Sequence, residues 1–221
     1  MWPAAAAICA WMRSVPELFE GTAILEVGAG TGACGLYAAA LGASHVVLTD
    51  GGQDWKRLQH LMTTNHLLNS QLLLDARVEV ARLDWGCDPA LLPSGPFTWV
   101  IGADVTWGSD FDAHHALAAS LAALLARDSG DKLGAPVGKE CRVALAMQHG
   151  LPLPVDGDEA NFRDETLEQF RQALAPHGLE IRALARRGPI TPEFLKLCFP
   201  AEAFSAYATT SEVVIIEVLA Q

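Results

Sequence analysis

The residues best suited to chemistry in this chain are acids that stand where apolar runs end. Glu26-Val-Gly28-Ala-Gly30-Thr-Gly32 sets a carboxylate two residues ahead of a turn holding three glycines in five positions, and Asp50 follows 22 residues after Gly28, at the end of the run His45 to Thr49. Without a Cβ, glycine lets a ligand approach the backbone and permits the positive φ of a sharp turn. A carboxylate about twenty residues past such a turn can accept hydrogen bonds from both hydroxyls of a ribose. Together these features predict a nucleotide cradle that takes an unphosphorylated ribose.

The glycines alone do not name the cofactor. Gly28, Gly30 and Ala33 also fit the dinucleotide pattern G-x-G-x-x-G/A, which is compatible with NAD. Glu26 and the position of Gly32 point elsewhere, because an acid beside the turn suits a positively charged ligand better than a pyrophosphate. The full pattern E-x-G-x-G-x-G resembles the class I S-adenosylmethionine-dependent methyltransferases, whose cofactor brings an amino-acid tail and a sulfonium.

The elements that must position these residues alternate in type. Ala23 to Val27 reads as a buried strand, Ala33 to Leu41 as a helix closed by Gly42, and His45 to Thr49 as the next strand. A helix carrying Trp55, Leu58, Leu61, Met62 and Leu68, with Asn65 as its polar interruption, precedes the strand Ala76 to Leu83, whose Val78 and Val80 alternate with Arg77 and Glu79. Phe97 to Asp104 is a strand ending in another acid. A helix around Ala113 to Ala126, a polar loop Asp128 to Glu140, a strand Cys141 to Met147, a helix Asn161 to Leu174 and strands Gly178 to Leu184 and Ser211 to Leu219 complete the order. At the amino end, Ile8, Trp11, Met12, Val15, Leu18 and Phe19 form the stripe of a helix packed on a core, with Pro3 in its first turn. Strand and helix in alternation predict an α/β Rossmann-like fold: a seven-stranded, mostly parallel sheet, helices on both faces, and a terminal antiparallel hairpin. Ligands bind outside the carboxyl ends of such strands, and Glu26, Asp50, Asp84, Asp104 and Gln148 stand at five of them.

Composition narrows the classes. The 221 residues, 51% of them apolar, predict a single domain with a sizeable core. A formal charge of −11 and a pI near 5.0 argue against a nucleic-acid partner and suit a lysine-bearing one. The five cysteines are odd in number and form no C-x-x-C pair, so they read as buried free thiols of a reducing compartment. The amino-terminal apolar run lacks a cationic flank, and no segment is long enough to span a bilayer. A cytoplasmic location, with the nucleus left open, and no metal are expected; His114 and His115, adjacent on a helix, cannot both face one ion.

With these elements in place, four stretches resemble one family: Trp2-Pro3-Ala4-Ala5, Glu26 to Gly32, Leu83-Asp84-Trp85 and Gly102-Ala103-Asp104-Val105-Thr106-Trp107. They resemble methyltransferase family 16, the methyltransferase-like-21 group of seven-strand protein-lysine methyltransferases. The resemblance implies S-adenosyl-L-methionine as cofactor, the lysine of a non-histone protein as acceptor, and a cofactor pocket lined by Trp2 and Trp85. With the residue-level reading it gives a cofactor set of Trp2, Glu26, Gly28, Gly30, Gly32, Asp50, Asp84, Trp85 and Ala103, and a catalytic pair of Asp104 and Trp107. Trp107 stands where the family's D-x-x-Y motif has tyrosine, which keeps an aromatic wall and loses a hydroxyl. The family usually carries several dozen residues ahead of the first stretch, so the expectation is either a short member or a chain that lacks an amino-terminal extension.

Methyl transfer from a sulfonium requires mainly that the nucleophile be held in line with the methyl carbon. Ring faces attract cations, which suits Trp2 and Trp107 to the sulfonium and leaves Trp85 for the adenine. Asp104 is assigned to capture and orientation of the acceptor ammonium, and Gln148 and His149 are weaker substrate-contact candidates. A small-molecule N- or O-methyltransferase, a cofactor-binding module without catalysis and, more remotely, an NAD-dependent reductase stay open at this level.

Overall fold

The computed structural model describes residues 3–73, 75–91, 93, 95–106, 111–128, 141–148, 165–187 and 213–220. In chain order the elements are α1 (Pro3–Ser14), β1 (Ala23–Val27), α2 (Ala33–Ala40), β2 (His45–Asp50), α3 (Trp55–Asn69), β3 (Arg77–Arg82), β4 (Trp99–Ala103), α4 (Phe111–Asp128), β5 (Arg142–Gln148), α5 (Glu165–Leu174), β6 (Leu179–Arg187) and β7 (Val213–Ala220). Among the described residues seven strands form one sheet in the order β3-β2-β1-β4-β5-β7-β6. All neighbours pair in parallel except β7, which runs antiparallel to both β5 and β6. The predicted fold class stands, terminal hairpin included.

Strand alternation splits the core into two layers. On β1, Ile24 faces α1 and α2, where Ile8, Met12, Leu36 and Ala38 pack, while Leu25 and Val27 face α4 and α5 with Leu117, Leu121 and Phe170. Because side chains alternate with a period of two, Glu26 falls on the same face as Ile24. It therefore points at the start of α2, a placement fixed by parity.

Some boundaries differ from the sequence reading. The amino-terminal stripe continues through Phe19, but α1 stops at Ser14 and a short 3-10 turn, Pro16–Leu18, follows. Pro16 has no N–H to give the helix and its ring disfavours helical backbone before it. Phe19 is nonetheless fully buried, stacked on Trp99 with ring centroids 5.4 Å apart. β6 runs three residues beyond its expected end, to Arg187, and stays paired with β7 past a register shift between Ala183 and Ala185. Cys9 and Cys34 are buried free thiols as expected, whereas Cys87 and Cys141 are only half-buried; Cys198 lies outside the described residues. So do the polar loop after Asp128, His149 and residues 161–164 of the expected helix. No helix among the described residues is long and apolar enough to cross a membrane.

Candidate functional site

The glycine turn is tied down from two neighbouring elements, β2 and α3. Thr49 Oγ1 donates to the Glu26 carbonyl at 2.6 Å, and the Ala29 N–H donates to the Thr49 carbonyl at 2.8 Å, so β2 fixes where β1 ends. From α3, Asn65 Nδ2 donates to the Thr31 carbonyl at 2.8 Å, which explains the polar interruption on that helix. Gly28 has φ +61, and a Cβ there would sit 2.7 Å from Val105 Cγ1 and 3.2 Å from the Trp85 ring. That glycine is needed both for its conformation and for the close approach of the loops after β3 and β4. Gly30 has φ +54 and nothing within 4 Å of where its Cβ would be.

Glu26 is 2% exposed, and its carboxylate accepts the Gly35 N–H at 2.8 Å, capping the first turn of α2. Burial pushes its carboxyl up to about 7, against the lowering effect of hydrogen bonds from Gly35 and Cys34 and with a further raising push from the Asp50 charge. Gly35 was not singled out by the sequence. Its Cβ would lie 2.8 Å from Glu26 Oε2 and 2.4 Å from Leu48 Cδ2, so only glycine lets the acid reach the helix. The signal was a glycine inside an alanine helix, which costs about 1 kcal/mol unless close packing needs it.

Asp50 Oδ2 accepts the Gly30 N–H at 2.7 Å and Oδ1 the Gly51 N–H at 2.8 Å. Asp104 directly follows β4. Its N–H donates to the Ala146 carbonyl at 2.9 Å, its φ is +59, and burial raises its carboxyl above the ordinary carboxylate range.

Glu26, Gly28, Gly30, Asp50, Trp85, Ala103 and Asp104 converge on one cavity of about 510 Å³ at the carboxyl ends of β1, β2 and β4. Ala5, Cys34, Arg57, Leu58, Leu61 and Val105 also line it; the periodicity had given the two leucines only a core role. Two members of the expected set stand elsewhere. Gly32, the residue before α2, packs into the core, where its Cβ would be 2.8 Å from Leu48 Cδ1. Asp84 turns to Arg82 Nε at 2.6 Å and the Gly52 N–H at 2.7 Å, and the Arg82 guanidinium holds its carboxyl below the usual range. Trp2 and Trp107 lie outside the described residues, as does the Gln148 side chain.

The family model described as lysine methyltransferase matches residues 1–134. The chain belongs to that family. Protein N-lysine methyltransferase METTL21A of Danio rerio is 32% identical over 107 residues, covering 48% of this chain and 47% of that protein. EEF1A lysine methyltransferase 3 of Xenopus tropicalis is 31% identical over 110 residues, covering 50% and 46%. This lysine methyltransferase family member thus spans about half the length of the curated relatives it matches. Among solved structures, magnesium protoporphyrin IX methyltransferase of Synechocystis, crystallised with bound SAH, has a TM-score of 0.55 at 16% identity, covering 98% of this chain and 82% of that one. At that identity the likeness speaks for the class I methyltransferase fold.

Proposed function

We propose that this chain is an S-adenosylmethionine-dependent methyltransferase acting on the lysine side chain of a protein. The observation that carries the reading is the origin of the cavity: its walls, from Ala5 to Val105, all come from the span that the lysine methyltransferase family model matches. The names of the relatives, protein N-lysine methyltransferase and EEF1A lysine methyltransferase, support a protein lysine as acceptor.

The residues present fit such a cofactor. The open space at Gly30 leaves room for a ligand against the backbone. Each Asp50 oxygen spends one lone pair on a backbone N–H and keeps another for a ribose hydroxyl. Glu26 offers a carboxyl that ionises readily once a cation is near. Trp85 on the wall provides the aromatic face assigned to the adenine.

When bound, S-adenosylmethionine supplies a methyl carbon activated by its sulfonium. The chain's part is to hold the acceptor and order the approach. Asp104, half-buried on the cavity wall, pairs with the incoming ammonium, which also favours its own ionised form. The amine must then lose a proton, at roughly 5 kcal/mol at pH 7, either to water or to Asp104.

The test is incubation of the full chain with tritiated S-adenosylmethionine and a cell extract, beside Asp104→Asn and Gly30→Arg. A discrete labelled protein band that both variants lose is the expected result. Demonstrable cofactor binding with no labelled protein would overturn the protein acceptor and leave a small molecule in its place.

A further inference from the structure

α4 buries Leu117, Leu121 and Leu124 against the sheet, and two polar side chains share that burial: His114, 1% exposed, and Ser120, 3% exposed. Each reaches a different loop. Ser120 Oγ donates to the Ala116 carbonyl at 3.1 Å and accepts the Gly86 N–H at 2.9 Å, so its donor and an acceptor site are both used. Gly86 directly follows Trp85, and it packs so closely on α4 that a Cβ would lie 3.2 Å from Ala116 Cβ.

His114 Nε2 stands 3.3 Å from the Thr106 carbonyl, and its ring meets Phe170 edge-on at 6.0 Å. A carbonyl only accepts, so the proton sits on Nε2; Nδ1, buried, has no hydrogen-bond partner among the described residues. An apolar residue would fill this place without an orphaned nitrogen. What the histidine adds is the bond to Thr106, itself buried and two residues past Asp104. Asp104 sits in the left-handed region, a conformation that persists only when its surroundings over-determine it. Its N–H bond to Ala146 anchors the loop on one side, and the His114 bond anchors it on the other.

We propose that His114 and Ser120 are positioning residues, holding from one helix the two loops that wall the cavity: His114 the loop that presents Asp104, Ser120 the loop that presents Trp85. For its kinetic arm this rests on the methyl-transfer reading above; its structural arm stands on the geometry alone.

The experiment compares the full chain with His114→Phe, His114→Asn, His114→Gln and Ser120→Ala by three readouts. These are the methylation rate at saturating cofactor, the Kd for S-adenosylmethionine, and amide hydrogen exchange of residues 103–106. Glutamine can place its amide N–H near the position of Nε2; asparagine cannot reach it, and phenylalanine keeps only the ring. His114→Phe and His114→Asn are expected to lose about tenfold in rate with Kd little changed, and to exchange the 103–106 amides about tenfold faster, as for loss of one buried hydrogen bond. His114→Gln is expected to recover both. Ser120→Ala is expected to raise Kd several-fold with the rate at saturation retained, the effect being smaller because Gly86 is open to water.

Unchanged exchange in the phenylalanine and asparagine variants overturns the anchor. A glutamine variant as defective as phenylalanine means that the Nε2 bond to Thr106 is not what the histidine contributes, and faster exchange at an unchanged rate removes the catalytic consequence. Should His114→Phe fail to fold, the asparagine and glutamine pair carries the same comparison. If the parent labels no protein, the functional reading fails, and exchange with cofactor Kd still decides whether α4 holds the two loops.

Discussion

Asp104 and Glu26 are both acids at strand ends, and burial raises both carboxyls, yet their demands on the chain differ. Asp104 adopts φ +59, a region that asparagine tolerates and β-branched residues do not. Asp104→Asn should therefore keep its melting temperature while losing methyl transfer by about two orders of magnitude or more, as for a removed charge partner in a low-dielectric site. Asp104→Val should also lose stability, by about 1–3 kcal/mol. An asparagine variant as active as the parent would remove Asp104 from the reaction. Glu26 lends itself to titration. Its folded value near 7 exceeds the ordinary 4.5, so between those values the folded state holds more proton than the unfolded one and stability falls as pH rises. The fall amounts to roughly 3 kcal/mol between pH 4.5 and 7 by the conversion of about 1.4 kcal/mol per unit. Chemical denaturation across that range should show the parent losing this increment relative to Glu26→Gln. A cationic ligand beside Glu26 reverses the preference, so binding of S-adenosylmethionine near pH 7 should release protons, seen in calorimetry as an enthalpy that depends on the buffer.

The elements were legible where periodicity is local and hidden where partners are distant in sequence. Each strand and helix reads from its own window, whereas Glu217, inside the apolar run Val213 to Leu219, gives no local sign of its neighbours. It is 1% exposed and bound by Arg142 Nε of β5 at 2.7 Å and by Arg182 of β6, 75 and 35 residues away. Burial would raise its carboxyl, but the hydrogen bonds from the two guanidiniums outweigh that and leave it below the ordinary value. This clamp joins the three strands of the antiparallel end, and Arg142 also lies 4.3 Å over the Trp99 ring. Because its folded value is lowered, the clamp's contribution is present above about pH 4.5 and is lost as pH falls below it. Arg142→Ala should cost about 2–3 kcal/mol, since a buried carboxylate loses one of two partners. Arg182→Ala should cost less, its side chain being 60% exposed. Glu217→Leu in the Arg142→Ala background should regain part of the loss, and urea denaturation of the single and double variants gives the coupling. Equal losses for the two arginines, with no recovery in the double variant, would mean that the residues act independently.

At the scale of the whole molecule, alternation of strand and helix was enough to predict the sheet and to put the site at its carboxyl edge. What it did not yield was the shape of the site. Gly32 and Asp84 belong to the right motif and strand end, but Leu48 and Met62 hold one in the core and Arg82 turns the other aside. Arg57, Leu58 and Leu61 reach the cavity from α3, which packs on β2 and β3. The cavity thus draws on α1, β1, α2, β2, α3 and β4 together. A ligand that fills it binds only when all six are in place, so its binding free energy becomes folding free energy. At a hundred times its Kd a single-site ligand adds about 2.7 kcal/mol, which for a chain of this size raises the melting temperature by roughly 5–10 °C. S-adenosylmethionine is expected to produce that rise and NAD none, because Glu26 disfavours a pyrophosphate beside the turn. Gly30→Arg should abolish the rise, since its side chain would occupy the open space above the turn. A rise with NAD equal to that with S-adenosylmethionine would mean that Glu26, held in its cap on α2, does not select the charge of the ligand, and the choice between the two cofactors would pass to the loops that carry Trp85 and Asp104.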